Sequence, residues 1–304
     1  MSFKRFDPQD IVISAESITA PVWSNSVIEL TSFFTSSAQV AGASGAYYNN
    51  VYQTASDDTT AAIQFSVAYG DIDGSGSLHF NLAVSGNSPS KTIYGQYRSL
   101  VLGDEESNFV FGSETGSHFY VISLDRARYK EKLLPGTFSL LLSGSGEDTY
   151  LNLTDNSQVA TTTNFNDAGR VFEVVSGSLG NVYTGVNATG HSQASGSYGF
   201  FLPDIGVIIL NGKALDGTPT EGGLSLGTIR SMNTEGSGSE KIFDAIKSGG
   251  SFKLNSEETI SSNFVFVRAR NAEFNYSSNP SNTTGSGELR HDVMVNNPQS
   301  YATS

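Results

Sequence analysis

Cysteine is absent from this 304-residue chain. That excludes a disulfide framework and any thiolate metal site. Histidine is scarce, and His79, His118, His191 and His291 stand apart, with no HxH or HExxH pairing to hold a metal. Each reads as a surface or hydrogen-bonded structural residue. No P-loop and no dinucleotide fingerprint occurs, so no cofactor is expected. No apolar run reaches the eighteen or so residues of a membrane helix, and no membrane insertion is expected. The opening MSFKRFDPQDIV lacks the apolar stretch of a secretory signal. Positive charge is thin: 17 Lys and Arg against 30 Asp and Glu, net −13. Such an acidic balance argues against nucleic acid as a partner.

What is present is serine (45), glycine (32), and a well-spread set of 19 Phe and 13 Tyr. The small residues alone would suggest disorder, but disordered chains lack such aromatics. The combination reads as a mostly β protein: antiparallel, sandwich-like sheets with long Gly/Ser/Asn-rich loops. Strands are expected at DIVISA (10–15) and VIELTSFF (27–34), with Trp23 between them as a packing anchor. In AAIQFSVAYGD, Ile63, Phe65, Val67 and Tyr69 alternate onto one face. The DGSG turn and SLHFNLAVSG, with Leu78, Phe80, Leu82 and Val84, complete an expected hairpin. KTIYGQYRSLVLG, NFVFGS and HFYVISLD continue the strand pattern. YGFFLPDIGVIILNG (198–212) reads as a buried strand entered through a proline turn. One short helix is expected near 240–248: Ser239 as N-cap, Ile242, Phe243 and Ile246 as its apolar stripe, Lys247 and Gly249 at its end. Three segments follow: a β module over 1–146, a β-rich insertion or subdomain over 147–197, and a β module over 198–304 interrupted by a loop and helix at 214–250.

Short chemical motifs are weak. DIDGSGSL begins like a calcium loop, but Leu82 stands where the bidentate acid belongs. GLSLG around Ser225 fits a nucleophile-elbow pattern but follows a loop. The concentrated feature is DRARYKEKLLPG (125–136), where Arg126, Arg128, Lys130 and Lys132 fall within seven residues of an acidic chain. As a strand these four share one face. They read as a solvated edge that discourages aggregation, as an interface patch for an acidic neighbour, or as a phosphate contact. Arg268 and Arg270, alternating in NFVFVRARN, are further interface candidates.

Longer stretches carry a family resemblance. FKRFDPQDIVISAESITAPVWS, SPSKTIYGQYRSLVLGDEESNFVFG, FYVISLDRARYKEKLLPGTFSL, GSYGFFLPDIGVIILN, NSEETISSNFVFVRARNAEFNYSSNPS and GELRHDVMVNNPQSYAT resemble virion structural proteins of large contractile-tailed phages, especially those of cyanobacteria. The resemblance covers most of the chain outside 147–195 and 214–249. It implies a non-enzymatic tail or baseplate component in the phage particle. Its partners would be other tail subunits and further copies of itself in a symmetric assembly. A receptor- or glycan-binding tail module is the alternative, with Tyr47, Tyr48 and Tyr52 as exposed loop aromatics.

Overall fold

The computed structural model describes residues 8–35, 48–76, 88–144, 149–183, 198–227 and 237–267. Contacts divide the chain into two units, Ser17–Thr259 and Met1–Glu16 with Ile260–Ser304. The sequence suggested three consecutive segments instead. Strands from 147–197 sit in the middle of the same sheet as strands on either side, so no insertion separates there.

In chain order the strands are β1 (Ile11–Pro21), β2 (Glu29–Leu30), β3 (Phe34–Thr35), β4 (Tyr48–Tyr52) and β5 (Ile63–Asp71). Helix α1 (Pro89–Leu102) precedes β6 (Phe109–Phe111), β7 (Glu114–Gly116), β8 (His118–Leu124), β9 (Lys132–Leu133) and β10 (Ser139–Ser143). Then come β11 (Tyr150–Asp155), β12 (Asn164–Asn166), β13 (Gly169–Ser178), β14 (Asn181–Val182), β15 (Gly199–Leu202) and β16 (Val207–Asn211). Helices α2 (Gly212–Asp216) and α3 (Ser237–Gly249) lead into β17 (Ser251–Lys253) and β18 (Asn255–Val265). The protein is mostly β, and the ladders of its main sheet are antiparallel.

The main sheet runs β2-β17-β10-β11-β13-β15-β16-β8-β5-β4-β3. Only residues 31–33 separate its two terminal strands. Such a linker spans at most about 14 Å, whereas a flat sheet of that order would hold its ends about 48 Å apart. The sheet must therefore curl until its ends approach. Alternation along each strand feeds two cores. Phe65, Val67 and Tyr69 of β5, Tyr120, Ile122 and Leu124 of β8, and Ile208 and Leu210 of β16 enter one core. Ala68, Phe119, Val121, Val207 and Ile209 of the same strands enter the other. Burial on both faces explains why β8 and β16 read as near-continuous apolar runs.

Helix α3 belongs to the first core, through Ile242, Phe243, Ala245 and Ile246. The aromatic centre of that core is Phe65, with Trp23, Phe33 and Phe252 at 6.1, 6.4 and 5.5 Å between ring centroids. Trp23 is thus the expected anchor. The helix covers the expected span, with Glu240 in its first turn and Lys247 in its last. It starts three residues earlier than expected, so Ser239 lies within its first turn, where its Oγ accepts from Asn49 Nδ2 at 3.3 Å.

Helix α1 packs into the second core, and this corrects the strand reading of KTIYGQYRSLVLG. Thr, Ile, Tyr and Val suggest β propensity, yet Ile93, Tyr94, Tyr97 and Val101 fall at helical spacing. Pro89 at the first turn preorganises the start. Gly103 closes the end at φ 75°, donating its N–H to Ser99 O. Tyr94 stacks on Phe119 at 5.0 Å and donates to Gly116 O at 3.0 Å.

Two other expectations change. The 27–34 strand is two short strands at opposite ends of the sheet order. The 198–212 run is a hairpin, β15 and β16, folded about Pro203. Strand β5 pairs with β4 and with β8; its expected hairpin partner, 78–84, lies outside the described residues.

Buried Asp155 closes the turn before β10. Its Oδ2 accepts from Gly136 N at 2.9 Å and Ser157 N at 3.3 Å. Burial nevertheless pushes its carboxyl above the usual carboxylate range. A carboxyl raised on folding contributes most below its unfolded pKa, and that contribution is lost as pH rises through the folded value. Asp155→Asn keeps an oxygen for both donors. It is expected to lose less stability than the wild type between pH 4 and pH 8, measured by urea unfolding at each pH.

Candidate functional site

The basic run does not form the one-faced strand. Asp125 accepts from Ala127 N at 2.8 Å and starts a 3-10 turn over Arg126–Arg128. Lys132 begins β9, which pairs with β18 through Ser256↔Leu133 and Glu257↔Lys132. The four cations therefore point to different partners. Arg126 donates to the carbonyls of Tyr129 and Lys130, and its guanidinium lies 4.6 Å from the centre of the Tyr129 ring. Arg128 reaches Ser24 Oγ, which Gln64 Nε2 also contacts, at 2.7 Å.

Lys130 Nζ meets Glu258 at 2.9 Å, and Lys132 Nζ lies 3.6 Å from Glu257. Glu131 completes the lattice by accepting from Thr259 N at 2.7 Å. The acidic surface that these cations face is thus on β18 of the same chain. Charge pairing here fixes β18 against β9. Lys130 is 81% exposed at its side chain, so solvent screens its pair. Lys130→Ala is expected to change unfolding free energy by less than about 0.5 kcal/mol, read from denaturant midpoints. Arg268 and Arg270 lie outside the described residues.

A second polar cluster was not legible, because its members are 98 residues apart. Asp71 pairs with His118 and Tyr69 with Tyr120 across β5 and β8, which places all four on one face. Asp216, the last residue of α2, comes down onto that face. His118 Nε2–H donates to Asp216 Oδ2 at 2.9 Å, and Tyr120 OH donates to Oδ1 at 3.0 Å. Ser117 Oγ lies 3.3 Å from the other ring nitrogen. Burial first, and then the charge of Asp216, pushes the Tyr120 phenol well above its ordinary range, so it stays a donor. The His118 and Asp216 side chains are only 6% and 10% exposed. The closeness of α2 depends on Gly212, where a Cβ would meet His118 Cδ2 at 2.2 Å. Chemically the cluster is a clamp that ties α2 to the sheet. His118 is a hydrogen-bonded structural histidine.

The calcium-like start is likewise consumed internally. Asp71 Oδ1 accepts from Asp73 N at 2.9 Å and Ser75 N at 3.2 Å, and Tyr69 OH reaches Oδ2 at 3.4 Å. Among the described residues no group of three or more His, Asp or Glu could hold a metal. Ser225 has φ 51°, but a 3-10 turn over Pro219–Glu221 precedes its loop, where a nucleophile elbow needs a strand. No helix among the described residues is long and apolar enough to cross a membrane.

The most unusual surface is the described part of the terminal unit. Ile11, Val12 and Ile13 are 42%, 48% and 71% exposed; Ile260, Phe264, Val265, Phe266 and Val267 are 40–75% exposed. Only Asp10 and Glu16 carry charge among the described residues of this unit. Such concentrations of exposed apolar side chains mark interaction sites on soluble proteins. Sequence reading identified strands in both segments but assigned them to separate modules, and so missed their pairing. No family model, no curated protein and no solved structure matches this chain.

Proposed function

We propose that this chain is a non-enzymatic structural component of a phage particle, in the tail or baseplate, working through contacts with other subunits. The observation that carries the reading is the exposed apolar surface of Ile11–Ile13 and Ile260–Val267. A chain working alone would leave that surface in water, at a cost of roughly 25 cal/mol per Å². A permanent assembly covers it. The resemblance to virion structural proteins supports the same reading.

Its test is peptide mass spectrometry on purified particles separated into capsid and tail fractions. A fixed ratio to known tail subunits in the tail fraction is the expected result. Absence from particles, or presence only with capsid, overturns it.

A second reading, a glycan-binding tail module, has one observation in its favour. A cavity of about 290 Å³ beside β13 is lined by Asn156, Thr161, Thr162, Asn164, Phe172 and Glu173, among others. Amide, hydroxyl and carboxyl groups around an aromatic edge suit sugar hydroxyls. Tyr48 is 48% exposed, Tyr52 is half-buried, and Tyr47 lies outside the described residues. A glycan array without signal removes this reading.

A further inference from the structure

The ribbon formed by the start of β1 and the end of β18 exposes large apolar side chains on both of its faces. Phe266 N donates to Asp10 O at 2.8 Å, and alternation along each strand then sorts the side chains. Val12, Ile260, Phe264 and Phe266 lie on one face. Ile11, Ile13, Val265 and Val267 lie on the other. An antiparallel ribbon that packs on a single core keeps its solvent face polar; here exposed apolar side chains stand on both faces, beside Asp10, Ser14, Glu16 and Ser262 on the first and Ser261 and Asn263 on the second.

We infer that the ribbon is a self-assembly element, held between the ribbons of two neighbouring copies in a closed ring of this chain. The inference rests on the structural-component reading and names the partner.

Three observations select a second copy as the occupant. The exposed surface of these eight residues amounts to roughly 800 Å², about what one partner contributes to a standard interface. That area divides about equally between the faces, so a single neighbour on one face leaves half of it wet. The two faces also differ, one carrying two phenylalanines and the other only Ile and Val. A copy that offers its Phe face to the Ile/Val face of the next makes a heterologous contact, and such contacts close only as rings of three or more. An isologous pair would cover one face and leave the other exposed.

The near absence of charge fits this geometry. The molecule carries net −13, and copies repel wherever acids face one another. Here the contact surface has only Asp10 and Glu16 among its described residues, so the repulsion is small where ribbons meet.

The experiment is sedimentation equilibrium on the purified full chain and two variants, Ile13→Asp and Phe264→Asp, which place a charge on opposite faces. Near-ultraviolet circular dichroism around Trp23, which lies in the other unit, checks that the fold is intact. The wild type is expected at three or more copies. Each variant alone is expected to fall at least about three-fold in mass, to one copy. An equimolar mixture is expected to give two-copy complexes, because each variant still has one working face and only one kind of junction can form.

A wild type that is monomeric or strictly two-copy overturns the ring, as does an open-ended ladder of sizes. So does sensitivity to only one of the two substitutions. If either variant fails to fold, Val265→Asp and Val12→Asp read the same two faces. The two readings fail separately. A monomeric pure protein found at fixed ratio in the tail fraction would remove the ring and leave the role. A ring-forming protein absent from particles would do the reverse.

Discussion

Phe65→Ala is expected to cost about 3–5 kcal/mol of unfolding free energy. Phe65 is fully buried and stands among Trp23, Phe33 and Phe252. Its removal leaves a hole bounded by rings that belong to different parts of the chain, and rings of that size cannot collapse together without moving the sheet. Domains are stable by only about 5–15 kcal/mol, so the variant is expected to melt roughly 10 °C lower. The check is a urea titration read by tryptophan fluorescence, since Trp23 reports directly on this cluster. A lower midpoint with an unchanged slope means lost stability; a changed slope means that the native state itself has loosened. Phe165→Ala is the contrast. Phe165 is 72% exposed, and its truncation is expected to stay within about 0.5 kcal/mol. Equal losses at the two positions would mean that the aromatic cluster is not the centre of the core.

Asp216→Ala is the second large effect. It leaves two buried donors, His118 Nε2–H and Tyr120 OH, without their acceptor. An orphaned buried donor costs about 1–3 kcal/mol, so the pair should lose about 2–6 kcal/mol. Asp216→Asn should lose less, since its amide oxygen can still accept one of the two bonds. It also removes the negative charge next to Tyr120. The Tyr120 phenol should therefore titrate lower in Asp216→Asn than in the wild type, while staying above an exposed tyrosine because burial remains the larger cause. Ultraviolet titration of tyrosine in both proteins measures this. An unchanged Tyr120 transition would show that Asp216 does not face it in solution.

What sequence reading recovered, and what it missed, follow from how local each signal is. The alternation of Phe65, Val67 and Tyr69 was visible because period two is a property of one strand. Helix α3 was visible because its stripe and its terminal charges lie within a dozen residues. Helix α1 was misread for a reason that residue types make plain: its buried positions are β-branched or aromatic, and propensity outweighed spacing. The pairing of β5 with β8 over seven positions was not visible, because strand pairing is a tertiary choice between segments about fifty residues apart.

The basic run shows the same limit. Its composition was legible, but its partners, Glu257 and Glu258, arrive from more than a hundred residues away. The His118–Asp216 clamp depends on a similar long-range meeting. So does the ribbon, whose two strands come from opposite ends of the chain. Each segment alone reads as an ordinary strand, and only their pairing gathers exposed apolar side chains on both faces of one ribbon.

The short link between β2 and β3 has a consequence for how the chain is made. Glu29, on β2, meets Ser251 across a separation of 222 residues. The β2–β17 pairing that sets the last strand of the curled sheet must therefore wait until Ser251–Lys253 has left the ribosome. Until then the nascent protein carries an open array of strands, and helix α3, which fills their concave side, does not yet exist. Long-range closure of this kind slows folding and leaves apolar edges open to misassembly. Shortening production temperature steps, or supplying a chaperone during synthesis, should raise the soluble yield more than any change to the purified protein's surface.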